Sequence, residues 1–205
     1  MQDPQSKDLP RTNRDRTEKT RTALMQAARS LFVDKGYGDT STPEIVAAAG
    51  ITRGALYHHF EDKRALFRAI VMDEALAVAS AIERETPAGL KPIDALLKGS
   101  AAYLDAMRVP GRTRLLLIEG PSVLGPAEIK KLDEDNAART LRSGLEAVID
   151  ARGLPLAALA DLLSAAFDRA ALAIDAGEDA DDYKAAIVTL IRRVAGALPE
   201  RSSRG

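Results

Sequence analysis

GYGDTSTPEIVAAAGITRGALYHHFEDKRALF, residues 36–67, decides how the rest of the chain is read. Turn and cap chemistry divides it into two short helices meeting at Gly50, followed by the start of a third. Ser41 and Thr42 are both competent N-caps. Ser41 has capping-box spacing to Glu44, whereas a Thr42 cap would put Pro43 at the first helical position, where its missing N–H costs nothing. The first helix needs only the two turns that end at Ala49. Gly50 supplies the positive φ that stops it, Ile51 is an apolar plug in the turn, and Thr52 caps the next helix. That helix, Arg53 to Phe60, buries Leu56 and Phe60 at i, i+4 and distributes Arg53, Gly54, Ala55, Tyr57, His58 and His59 over its other sides. Two turns cannot fold alone. Carried by neighbours, such a helix suits a DNA groove: Arg and His donate hydrogen bonds, Tyr offers a hydroxyl, and Gly54 and Ala55 allow close approach.

The positions Gly36, Tyr37, Thr42, Ile45, Ala49-Gly50-Ile51-Thr52, Gly54, Leu56-Tyr57, His59-Phe60, Lys63 and Leu66 resemble the DNA-binding signature of the TetR family of bacterial transcriptional regulators. The resemblance covers roughly the first third of the chain. Val46 departs from it, standing where a small Ala is common, as does Asp62, where Ser, Asn or Gly is common before the Lys. It implies DNA contacts from Thr42, Thr52, Arg53, Gly54, Ala55, Tyr57, His58, His59 and Lys63. Of these, Tyr57, His59 and Lys63 are expected on phosphates and Arg53 on a base edge. The implied partner is double-stranded DNA carrying a pseudo-palindromic operator, bound by a homodimer.

Composition bounds the alternatives. The chain has 205 residues, 46% hydrophobic but only 4% aromatic, so its core must be built from Leu, Ala, Ile and Val. It has no cysteine, hence no disulfide framework or thiolate chemistry, as suits a reducing cytoplasm. No apolar signal core opens the chain and no apolar run is long enough to span a bilayer, so a cytoplasmic protein with no membrane partner is expected. Residues 1–70 hold 12 Lys+Arg against 9 Asp+Glu, and residues 71–205 hold 17 against 21; the positive end is the helix-turn-helix end. The two histidines are adjacent, which excludes a two-His metal face at i, i+4. With no phosphate loop and no Ser/His/Asp arrangement, no catalytic residue, metal or cofactor is expected. The acidic run Asp133, Glu134, Asp135 reads as a solvated face.

An all-α protein is expected throughout. Residues 1–16 read as a disordered basic arm with Arg11, Arg14 and Arg16, and residues 17–62 as the helix-turn-helix domain, whose first helix, Thr17 to Lys35, carries Leu24, Ala27, Ala28, Leu31 and Phe32 on one stripe. Asp62 caps a linking helix over 63–86 that ends before Thr86-Pro87. Residues 87–205 form a helical effector-binding and dimerisation domain of five helices: Pro92–Met107; Arg112–Ile118, broken by Glu119-Gly120-Pro121; a long helix from Pro126 to about Arg152; and a final pair, Pro155–Ala176 and Asp181–Leu198.

By resemblance the final pair supplies the dimer interface, with Leu163, Phe167, Ala170, Ile187, Ile191 and Val194 as its expected residues. A mainly apolar small-molecule effector is expected among the helices over 91–170. Leu115 to Ile118 cannot all face one core, and the spare apolar surface near Tyr103, Met107, Leu116 and Phe167 suits a pocket, with Glu119 or Asp168 to orient the ligand. The resemblance implies a ligand-released repressor. The alternatives are a DNA-binding regulator whose C-terminal domain docks a partner protein, and an architectural DNA binder without an effector.

Overall fold

A capping box sets the first boundary. In the computed structural model, which describes residues 13–149 and 155–196, Ser41 is the N-cap of α2 (Thr42–Ala49), and its hydroxyl accepts from the Glu44 N–H while the Glu44 carboxylate accepts from the Ser41 N–H at 2.8 Å. Of the two caps open in the sequence, Ser41 is therefore the one used. Lys35 closes on the same carboxylate at 2.6 Å. The Lys35 hydrogen bond, then those from Ser41, hold the Glu44 pKa down at about 2. A depressed acid stabilises the fold above its unfolded pKa and loses that contribution as pH falls toward 2.

Every regular element among the described residues is helical. Two units are distinguishable, one ending at Ala69 and the other starting at Ile70. The first contains α1 (Asn13–Lys35), α2, α3 (Arg53–His59) and the opening turns of α4 (Lys63–Glu85). Helix α1 starts four residues earlier than its apolar stripe suggests, so Asn13 to Arg16 belong to a helix rather than to an arm. Arg11 and the rest of residues 1–12 lie outside the described residues, as does the Arg14 side chain. Of the stripe, Leu24, Ala28 and Phe32 are buried and Ala27 and Leu31 half-buried; Ile45, Leu56, Phe60, Leu66 and Phe67 are buried as well, each large side chain worth about 1.5–3 kcal/mol of burial. Phe67 meets Phe32 and Tyr37 edge-on, with centroids 5.3 and 5.0 Å apart.

The second unit contains the remainder of α4, α5 (Pro92–Met107), a π-helix (Arg114–Glu119), α6 (Gly120–Leu124), α7 (Pro126–Glu134), α8 (Ala137–Val148), α9 (Leu156–Asp175) and α10 (Ala180–Val194). Helix α5 packs on α8, and α8 on α9. Two expectations are corrected here. Glu119-Gly120-Pro121 does not break the helix before it. The chain widens to i→i−5 bonding, with the Gly120 N–H on the Leu115 carbonyl, and then runs on with Pro121 in the first turn of α6. Gly120 has no room for a side chain, because a Cβ would lie 2.9 Å from that carbonyl. Nor is there one long helix from Pro126: it stops at Glu134, and Asn136 takes φ −126°, ψ −108° before α8 begins. Arg152 and Leu198, the expected ends of two helices, lie outside the described residues.

Leu163, Phe167, Ala170, Ile187 and Ile191, expected at a dimer interface, are buried inside this unit's own core, and Val194 packs partly buried against it. A stripe at helical spacing shows that a face is buried but not whose surface covers it. The large apolar residues left outside on these helices are Leu162, 69% exposed, and Leu190, 45% exposed. Glu74 on α4 is also buried; the Arg112 Nε donates to its carboxylate, and the same guanidinium donates to the Ala106 carbonyl at 2.6 Å.

Candidate nucleic-acid interface and effector cavity

Helix α3 is held from beneath and bare above. Leu56 and Phe60 anchor it, the Thr52 hydroxyl accepts from the Ala55 N–H at 3.2 Å, and Gly50 at φ 65° sets its approach to α2 through an Ile51 N–H bond to the Val46 carbonyl at 3.0 Å. What remains exposed is Thr52, Arg53, Gly54, Tyr57 and His58. The Arg53 guanidinium lies over the Tyr57 ring, 5.5 Å from its centroid, with 3.4 Å from nitrogen to hydroxyl. Gly54 has nothing within 4 Å of where a Cβ would stand except its own cap hydroxyl at 4.0 Å. Neither internal packing nor a positive φ demands glycine there. His59 is half-buried between His58 and Phe60. Burial, then the charges of His58 and Arg21, lower its pKa, so at neutral pH it offers an uncharged ring. Thr42 and Ala55 are half-buried at the edges of this surface.

Lys63 does something other than what its position in the first turn of a helix suggests. Its ammonium donates to the carbonyls of Tyr37 and Thr40, both at 2.8 Å, and lies 4.1 Å from the Tyr37 ring centroid. It clamps the turn between α1 and α2, whose Thr40 hydroxyl donates to the Gly36 carbonyl at 2.8 Å. A lysine with two donors spent on the backbone is a positioning residue. Lys63→Met is therefore expected to cost about 1.5–3 kcal/mol of stability, the worth of hydrogen bonds to a charged group, readable in urea unfolding. Equal stability with a shallower salt dependence of DNA binding would restore the phosphate role.

In the helical unit, two chambers of about 310 and 290 Å³ share Tyr103, Asp133, Ala137 and Ser164 in their walls. Phe167 lines the first, and Met107, Leu116 and Asp168 the second. Glu119 lines neither; its carboxylate accepts from Arg114 at 3.0 Å. The Tyr103 hydroxyl donates to Asp168 at 2.7 Å, and its ring meets Phe167 edge-on at 5.5 Å. The Ser164 hydroxyl donates to Asp133 at 3.1 Å, so Asp133 belongs to a cavity and not to a solvated face. The break between α7 and α8 turns it inward, and nothing in the acidic run itself could show this. A readable signal did exist in Gly99, Ser100, Ala137 and Ser143, small residues on facing helices that line the first chamber, whereas Gly144 makes way for Leu96, which a Cβ there would meet at 2.9 Å.

Burial raises the pKa of both carboxylates, that of Asp168 to about 6 with the charge of Asp133 adding to the effect. Between about pH 4, the unfolded value, and about 6, the folded chain holds a proton on Asp168 that the unfolded chain has lost. The contribution of Asp168 to stability therefore falls as pH rises through that window. Unfolding of Asp168→Asn should lack this slope, and at neutral pH the variant should be at least as stable as the parent.

Residues 24–70 match the bacterial regulatory proteins of the tetR family, and residues 93–198 match the tetracyclin repressor-like C-terminal domain. The chain is 32% identical over 77 residues to the HTH-type transcriptional repressor Rv1474c of Mycobacterium tuberculosis, covering 38% of this chain and 41% of that protein. It is 41% identical over 63 residues to the HTH-type transcriptional repressor BepR of Brucella suis, covering 31% of this chain and 30% of that one. The matched part is thus under half the length of either relative. The crystal structure of a TetR-family transcriptional regulator from Pectobacterium atrosepticum superposes with a TM-score of 0.67 at 27% identity, covering 93% of this chain and 99% of that one. With the C-terminal match alone spanning more than half of the residues, and the helix-turn-helix match preceding it, the chain belongs to the TetR family of bacterial regulatory proteins.

Proposed function

We propose that the protein is a transcriptional repressor that binds a pseudo-palindromic operator as a homodimer and is released by a small, mainly apolar effector. The observation that carries the DNA reading is the bare face of α3: a cation at 53, a glycine with open space around it at 54 and a phenol at 57, on a helix whose other side is locked into a core. Laid in a major groove, Arg53 reaches a base edge and Tyr57 a phosphate oxygen. Selection from a random duplex pool should return a two-fold symmetric site. Arg53→Ala should then cost about 1–3 kcal/mol and relax one base position per half-site, whereas equal loss on all sequences would make Arg53 a phosphate contact. Gly54→Ala separates folding from binding. A methyl there meets no atom of the fold and improves helix propensity, by up to about 1 kcal/mol, yet should weaken operator binding by crowding the groove.

Two-fold assembly is supported by the apolar side chains that remain outside on the last two helices. Leu162 on α9, with Ala158 and Ala165 one turn away on either side, and Leu190 on α10, with Ala186, are exposed in the protomer and supply a self-complementary face. The effector reading is supported by the two chambers, whose walls hold five of the six residues expected there from sequence. Release requires the effector to bind better to the conformation that does not fit the operator, since equal affinity for both shifts nothing. Helix α4 begins in one unit and ends in the other, and it is the element through which that preference acts. A tenfold loss of operator affinity takes about 1.4 kcal/mol of preference. Titration of bound operator with compounds that fit the chambers tests this, and tight binding without any change in operator affinity would reject effector status for the compound used. The cavity favours this reading over a purely architectural DNA binder.

A further inference from the structure

The two chambers are walled mainly by apolar side chains and neutral polar groups, and the charged groups at and next to the wall they share are two carboxylates. Asp168 and Asp133 line the second chamber together, and Asp133 lines the first as well. Their side-chain partners are neutral hydroxyls, Tyr103 for Asp168 and Ser164 for Asp133. Among the described residues no Lys or Arg pairs with either. The basic group in these walls, Lys130, is at the outer side and is engaged with Asp161 at 3.0 Å. Two carboxylates drawn out of water beside each other, without a counter-charge, are an unfavourable arrangement in a core. An anionic ligand would worsen it, and a neutral one would leave it as it is. A cation would relieve it, and the Tyr103 and Phe167 rings beside the carboxylates are surfaces that attract a cation or stack on an aromatic one.

We infer that the effector is a lipophilic cation, an amine or ammonium group on an aromatic body, with its charge taken by Asp168 and Asp133 and its rings lying against Tyr103 and Phe167. This rests on the reading of the chambers as the effector site. It also makes binding depend on pH. The groups facing Asp168 are Tyr103 on α5 and Asp133 on α7, with Lys130 and Asp161 at the rim; the π-helix presents only Leu116 and Leu117 to this chamber. As pH falls through about 6, Asp168 takes up a proton in place of the ligand's charge, and affinity for the cation drops.

The test uses the DNA-free full chain and three rigid tricyclic probes of similar size, titrated by calorimetry: cationic 9-aminoacridine, neutral anthracene-9-methanol and anionic anthracene-9-carboxylate. The expected result at neutral pH is a preference of at least about tenfold for the cation over the neutral probe. Asp168→Asn should remove that preference while leaving the neutral probe's affinity unchanged, and acidification to about pH 5 should mimic the substitution. Asn keeps an acceptor for the Tyr103 hydroxyl; should the variant nonetheless unfold, Asp133→Asn and the pH titration of the parent chain read the same preference. Equal binding of cationic and neutral probes, insensitive to either substitution, would overturn the charge assignment and leave the effector cavity standing. So would a preference for the anion. Binding by none of the three would overturn the cavity reading and this inference with it.

Discussion

Ile191→Asp is expected to unfold the helical unit rather than to separate two subunits. Ile191 is fully buried within the protomer, in the cluster that contains Leu163, Phe167 and Ile187. Deleting its apolar volume and placing a carboxyl there should together cost at least about 4 kcal/mol, in the range reserved for buried polar groups without partners. Leu190→Asp, one residue earlier on α10, is expected to do the opposite. Its side chain is 45% exposed, so protomer stability should stay within about 0.5 kcal/mol of the parent, while sedimentation shifts from dimer to monomer and binding to the two half-sites loses its cooperativity. Urea unfolding and sedimentation of the two variants side by side separate the cases. A Leu190→Asp protein that remains dimeric would remove this face from the interface, and a folded, stable Ile191→Asp monomer would return Ile191 to it.

The second large effect is expected at the buried pair of Glu74 and Arg112, whose side chains are 7% and 11% exposed. Arg112→Met leaves the Glu74 carboxylate in the core without its guanidinium, at a cost of about 3–5 kcal/mol. Replacing both, Glu74→Met with Arg112→Met, should recover most of that loss, because a buried ion pair is worth little more than apolar groups of similar volume. The pair fastens α4 to the chain just before the π-helix, whose Leu116 and Leu117 line the second chamber. The double variant should accordingly be stable yet transmit effector binding to operator release poorly. Denaturant midpoints for the single and double variants form the cycle. A double variant as unstable as the single would show that the loss comes from packing, and a double variant with normal effector response would take the pair out of the coupling.

The helix-turn-helix was legible from sequence because its determinants are local. The Ser41 and Glu44 box, Gly50 at positive φ, the Thr52 cap and the Leu56 and Phe60 pair each act within about four residues, the range over which side chains meet on a helix or close a turn. The all-α class and the bounds of α5, Pro92 to Met107, followed from periodicity in the same way. The role of Lys63 did not, because the carbonyls that receive its ammonium lie 26 and 23 residues away in the chain. Nor did the limits of the long helices: Asn136 turns the chain where the composition would have let a helix continue, and the π-helix carries it past Gly120 and Pro121.

What only the tertiary structure decided is which partner covers each apolar stripe and which polar residue faces inward. The pattern of α9 and α10 showed that Phe167 and Ile191 are buried, but burial by the same chain and burial by a second copy leave one periodicity. Packing of α9 on α8 and of α10 on α5 and α9 sends Ile191 into the core and leaves Leu190 outside. Asp133 is another such case. Three consecutive acids look solvated in sequence, and only the turn between α7 and α8 brings one of them beside Ser164 and into the wall shared with Asp168. A cavity is the space that distant segments fail to fill, and no residue carries it alone.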